Sequence, residues 1–169
     1  MIGVVNRKQQ ELVITKTNQL RHTMRLKFWE RLLEKMNEKS ELYKNVNPSK
    51  DNWITCGCGY NGLNYGLVIT GKFASVGLYA DTGSQDKNKQ IYDKLFLRKA
   101  EIEKKFNAEL EWDRKDKKIR SQIVYTLQNV DIFNEDDWDT MVNFLVENMI
   151  KLEAAMRDEL KAAILAKAG

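Results

Sequence analysis

"WITCGCGYNGLNYGLVITGKFASVGLYA", residues 53–80, decides the fold. From Trp53 to Tyr60 the side chains alternate. Ile54, Cys56, Cys58 and Tyr60 share one face; Trp53, Thr55, Gly57 and Gly59 share the other, as a strand requires. Asn61-Gly62 then signals a two-residue hairpin, because a type I′ turn needs positive φ at both positions. Leu63 to Thr70 reads as the second strand, and "TGK" (70–72) turns the chain again. Phe73 to Ala80 is the third, with Ala74, Val76, Leu78 and Ala80 on one face. The result is an antiparallel meander. Its cysteines face inward, and its glycines leave the opposite face flat and open to close approach.

Helical periodicity surrounds this meander. In residues 18–40, Leu20, Met24, Phe28 and Leu32 recur every four positions, and Trp29, Leu33 and Met36 widen the stripe. Asn18 is the expected N-cap, and "ELVITKTN" before it reads as a short strand or a helical lead-in. "NVNPSKDN" (45–52) is a loop around the single proline. Residues 86–106 return to helix through Ile91, Leu95, Ile102 and Phe106. A second hairpin follows. Leu110 and Trp112 lie on one strand, and Ile119, Ile123, Tyr125 and Leu127 on the other, about the tip "DRKDKKIR" (113–120). Asn134 caps a final helix that runs to about residue 166, with Asp136 and Asp137 in its first turn. Val142, Leu145, Met149, Leu152 and Met156 form its stripe, interrupted at Glu159 and resumed at Ala163. Its first half should pack on the sheet, while its Ala-rich end projects. The expected seam for self-association is Met149, Leu152, Met156 and Leu160.

The order α-β-β-β-α-β-β-α predicts an α+β fold with a mostly antiparallel five-stranded sheet and a long C-terminal helix. The expected organisation is an N-terminal extension (1–17), the α+β domain (18–152) and a C-terminal helical extension (153–169).

Composition bounds the function. The 169 residues are 43% hydrophobic and 31% charged, ordinary for a globular protein. No apolar run suffices for a membrane span or a signal peptide, and two cysteines suit a reducing compartment, so a cytoplasmic protein is expected. Charge is unevenly spread. Residues 1–39 carry nine basic and four acidic side chains, a net +5; residues 135–169 carry four basic and eight acidic, a net −4. That asymmetry suits a polyanion-facing surface or a head-to-tail contact between chains, and equally suits solvated helix faces.

Catalytic signatures are scarce. Cys56, Cys58 and His22 are too few for a closed zinc site, and Cys-x-Cys lacks a second knuckle. On a strand, residues i and i+2 stand ~6–7 Å apart, too far for an unstrained disulfide. Glycines 57, 59 and 62 lead into a strand rather than a helix, which excludes a dinucleotide loop. A magnesium nuclease needs an acidic residue on one strand and acidic-x-Lys on the next. Residues 53–80 hold no Asp or Glu; Asp81 lies just past them, and Asp113-Arg114-Lys115 sits on a hairpin tip. No catalytic residue, metal or cofactor is therefore expected. Nucleic-acid contact has better support. Arg21, Arg25 and Lys27 lie on the first helix, Arg114, Lys115, Lys117, Lys118 and Arg120 on the second hairpin. Tyr60 and Tyr65 beside the first turn supply rings for base stacking.

A set of spaced motifs adds to this reading: "FWERLLE" (28–34), Pro48-Ser49, Trp53, the glycines at 57–59, "GLYAD" (77–81), "NKQIYDKL" (88–95), "KAEIEKKFNAELEWDR" (99–114), "RSQI" (120–123) and "DDW" (136–138). Together, over about residues 24–156, they resemble a bacterial and archaeal domain-of-unknown-function family whose members often follow a restriction-endonuclease-like nuclease domain. The resemblance implies association with nucleic-acid metabolism and defence against foreign DNA; it implies no catalytic residues. A copy standing alone suggests an accessory subunit, or a phage or mobile-element inhibitor of a nucleic-acid-guided defence effector. The expected function is thus a non-enzymatic module with a protein partner and RNA or DNA contacts. The alternatives are a nuclease-type subunit of a restriction system and a self-associating, homodimeric structural domain.

Overall fold

The structure, a computed structural model, describes the backbone of residues 2–165 and the side chains of residues 6–165. It is an α+β fold with a five-stranded antiparallel sheet and a long C-terminal helix. In chain order the elements are α1 (Ile2–Lys39), β1 (Trp53–Gly57), β2 (Leu63–Ile69), β3 (Phe73–Ala80), α2 (Gln85–Phe96), α3 (Lys99–Phe106), β4 (Glu111–Asp113), β5 (Ser121–Gln128) and α4 (Trp138–Leu165). The sheet order is β1-β2-β3-β5-β4, with every neighbouring pair antiparallel.

Register sorts the side chains into two faces. Cys56, Tyr65, Leu78 and Ile123 follow one another across β1, β2, β3 and β5 and face the core. The helices pack on this face. α4 lies across β2, β3 and β5 and meets α1, α2 and α3. Phe106 on α3 sits edge-on to Tyr125 on β5, with ring centroids 5.0 Å apart. Tyr43, after α1, donates its hydroxyl to the Tyr65 carbonyl at 3.0 Å.

Several local expectations change. α1 begins at Ile2, not at residue 18, so Asn18 is mid-helix and caps nothing. At 38 residues it is ~57 Å long. Thr15, Thr17 and Thr23 donate their hydroxyls to carbonyls four residues back, and "ELVIT" has no strand to pair with, so helix propagates through it. Leu20 is 61% exposed, because the buried stripe starts only at Phe28. β1 stops at Gly57, and Cys58 and Tyr60 belong to the turn. That turn is not type I′. Positive φ occurs at Gly59 and Gly62 but not Asn61, and Leu63 N–H donates to the Tyr60 carbonyl at 3.1 Å.

The helix expected over 86–106 breaks at Leu97 and Arg98. Ser84 caps α2 by accepting from the Lys87 N–H, and Asn107 closes α3 with a left-handed φ of 67°. Ile119 is exposed and precedes β5, its carbonyl held by the Asn88 amide. Asn134 accepts from the Asp136 N–H as expected, opening a 3-10 turn (Glu135–Asp137) before α4. The end of α4 does not project. Leu160 and Ala163 are buried, and Lys94 of α2 donates to the Ala163 carbonyl. Glu159 interrupts the apolar stripe because Arg98 and Lys105 bind its carboxylate at 3.0 and 3.1 Å. The last four residues of the 153–169 segment lie outside the described residues.

Candidate functional site

The second face of the sheet carries Trp53 and Thr55 on β1, Asn64, Gly66 and Val68 on β2, Phe73, Ser75, Gly77 and Tyr79 on β3, and Gln122, Val124, Thr126 and Gln128 on β5. Among the described residues no helix covers it; two shallow grooves of about 480 and 310 Å³ run along it, lined by the strands and their adjoining residues. They share Val68, Tyr79 and Arg120 and so form one continuous surface.

Tyr79 is the centre of that surface. Gly66 and Gly77 are cross-strand partners, and the Tyr79 ring lies against both. A Cβ at Gly66 would stand 2.7 Å from Tyr79 Cε2, and one at Gly77 would stand 3.0 Å from it, so only glycine leaves room. Ser75 lies near the Tyr79 hydroxyl and is itself buried. Burial raises the Tyr79 pKa, against the opposing pull of Arg120 and Ser75. The Arg120 guanidinium lies 5.5 Å from the ring centroid, a cation–π distance. Across the Gly66 floor, Trp53 is 51% exposed.

Two anchors hold these groups. Trp29 on α1 donates its indole N–H to the Asp51 carbonyl at 2.9 Å, which fixes the entry to β1 and Trp53. Lys89 on α2 is buried and donates to the Arg114 carbonyl, the Arg120 carbonyl and the Ser121 hydroxyl at 2.6, 3.0 and 2.8 Å. It thereby ties both ends of the 114–121 loop to α2. Burial, then the nearby Arg114 charge, lowers its pKa.

The expected basic residues do not form one patch. Arg21 and Arg25 stack on the Phe133 ring at 5.3 and 5.8 Å, beyond the C-terminal end of β5. Arg120 and its loop precede the N-terminal end of that strand, eight residues or ~26 Å away. Lys27 is exposed on α1. Within the loop, Arg114 is bound by Asp93 and Asp116, and Lys115 by Asp113. Lys117, Lys118 and Arg120 are exposed. Tyr65 is 3% exposed on the core face, so its ring cannot receive a base; Tyr60 is half-buried against the core. Met149, Leu152, Met156 and Leu160 are also buried, spent on the chain's own core rather than on a second helix.

Cys56 and Cys58 are free and partly buried. Burial pushes Cys56 up to about 11 and Cys58 up to about 12, against the thiolate chemistry of a redox pair. Among the described residues no three His, Cys, Asp or Glu side chains converge on a metal-sized site, and no helix is long and apolar enough to cross a membrane.

Of the Trp53–Tyr79–Arg120 surface, only Arg120 was expected from sequence; Trp53 and Tyr79 were not. Its signal was present: glycines in phase with polar residues on two adjacent strands, the second of them, Gly77, followed two positions later by Tyr79. Only the register joins Gly66 to Gly77. No curated protein and no solved structure matches the chain. The model of one family matches residues 24–160, which takes in α1 from Met24, the whole sheet and α4 as far as Leu160. The chain belongs to that family, described as a domain of unknown function, DUF4268.

Proposed function

We infer that this chain is a non-enzymatic binding module acting within a nucleic-acid-processing or defence complex. It contacts a protein partner and nucleic acid. The observation that carries this reading is the uncovered sheet face, with its exposed indole, its arginine-stacked tyrosine and its neutral amides. A face with that composition suits recognition, because exposed aromatic rings and Arg are over-represented where proteins bind. The likeness of its motifs to domains that follow restriction-type nucleases favours a nucleic-acid setting, in cytoplasm, on the side of either a host system or an invading element.

The test is affinity purification of the full chain from its native cells, with identification of co-purifying protein and sequencing of bound nucleic acid. A stoichiometric nuclease or helicase partner supports the reading. Magnesium-dependent cleavage by the pure chain, abolished by Asp81→Ala, would replace it with a nuclease subunit. A chain that purifies alone and contacts no nucleic acid sinks it.

A further inference from the structure

We propose that the open face of the sheet is a platform for single-stranded nucleic acid, with bases stacking on Trp53 and Tyr79 and the phosphate backbone running past Arg120, Lys117 and Lys118. This rests on the binding-module reading and names its ligand class.

Four observations select that occupant. First, Tyr79 is held flat. The glycine pair beneath it fixes the ring, so the ring and the Arg120 guanidinium over it are presented together with little loss of side-chain entropy. Second, Arg120 already lies over that ring, so a base entering beside it meets an aromatic face and a guanidinium plane, both of which stack on unpaired bases. Third, the groups around the rings are neutral donors and acceptors: Thr55, Asn64, Gln122 and Thr126. These match base edges and sugar hydroxyls. Fourth, the charges are divided. Lys117, Lys118 and Arg120 cluster in one loop, while Asp81 and Glu111 border the grooves. The carboxylates repel phosphate and confine the backbone to the Arg120 side, which sets the strand's path across the face.

A duplex does not fit. Stacking on Trp53 and Tyr79 needs exposed base faces, and among the described residues the surface presents no helix or ribbon that could enter a groove. Lys89 is the positioning residue. It touches no ligand, but its bonds to the Arg114 and Arg120 carbonyls hold the basic loop at the edge of the sheet.

Fluorescence anisotropy on the full chain tests this, with mixed-sequence 12-nucleotide single-stranded RNA, the same DNA, and the DNA duplex, each at several salt concentrations. Single strands should bind more tightly than the duplex, and the RNA and DNA arms decide which sugar is preferred. Trp53→Ala and Tyr79→Leu should each weaken binding about tenfold or more. Arg120→Ala should weaken it and lower the salt slope by about one. Gly66→Ala displaces Tyr79 and should mimic Tyr79→Leu, whereas Arg21→Ala, at the far end of β5, should bind normally. Circular dichroism melts confirm that each variant folds; the exposed Trp53 keeps the test alive if a Tyr79 variant does not. Absence of single-strand binding, duplex preference, or binding indifferent to both Trp53→Ala and Tyr79→Leu overturns the proposal. The two readings fail separately. A partner protein lost on Trp53→Ala, with no oligonucleotide bound, refutes the platform and keeps the module.

Discussion

Two glycines on the open face differ in what they do, although both lack a side chain in a strand. Gly66 lies under Tyr79, and an added Cβ meets the ring at 2.7 Å. Gly57, at the end of β1, has nothing nearer than the Gly59 nitrogen at 4.0 Å and has no positive φ. Gly66→Ala should therefore cost about 1–3 kcal/mol through overpacking. Gly57→Ala should be neutral, or stabilise slightly by restricting the unfolded chain. Urea midpoints of the two variants read the difference; equal effects would mean that the Tyr79 ring is not held by the glycine pair. The cysteines allow a second residue-scale test. Cys58 is raised from an ordinary value of 9.0 to about 12, chiefly by burial. The folded chain thus keeps a proton that the unfolded chain loses. That stability is fully present below about pH 9 and is lost as pH rises through about 12. Between pH 9 and 10.5 the native chain should lose stability more steeply than Cys58→Ala, measured as urea midpoint against pH. Parallel curves would show that the thiol is not desolvated.

At the scale of elements, the α3–α4 junction shows how a charge sits in a core stripe. Glu159 is 6% exposed, and Arg98 and Lys105 hold it from the solvent side. Their hydrogen bonds, the one from Arg98 foremost, lower its pKa against the effect of burial. Removing one side of such a cluster differs from removing the other. Arg98→Ala with Lys105→Ala strands a buried carboxylate and should cost about 3 kcal/mol. Glu159→Leu replaces it with apolar volume beside two half-exposed cations and should be near neutral. Thermal melts of both variants decide the matter, and a Glu159→Leu loss as large as that of the double variant would contradict it. This junction also shows why sequence periodicity stopped short. The 3-4-3-4 spacing located α4 and its break at Glu159, but the partners of Glu159 lie 61 and 54 residues away. The corner at Leu97–Arg98 that delivers them has no Gly or Pro to mark it. Conversely, "LVI" in α1 has the composition of a strand, and its state is settled by the absence of a neighbour to pair with. The meander was legible because its alternation repeats through three segments, and each segment's register protects the next. The open face was half legible. Its flatness could be read from glycines, but which glycines meet, and which ring lies on them, is a cross-strand fact.

For the molecule as a whole, stability should be graded from the sheet centre outward. β3 is hydrogen-bonded on both sides, to β2 and β5, and lies under α4. β1 and β4 are edges, and β4 has only three residues. Residues 7–21 of α1 are exposed, but for their own helical bonds, over more than three turns, with Leu12, Val13 and Ile14 all at least 60% accessible. Backbone bonds that bury no apolar surface open locally at little cost, whereas bonds spanning the core open only with global unfolding. Native-state hydrogen exchange should therefore protect the amides of β3 and the facing halves of β2 and β5 most. Those of β1 and β4 should come next, and those of residues 7–20 should exchange within the dead time or nearly so. The gradient also bears on the proposed platform, since Tyr79 and Gly66 lie on the most protected strands while Trp53 lies on an edge. If Trp53 exchanged as slowly as Tyr79, the free edge of β1 would be covered in solution.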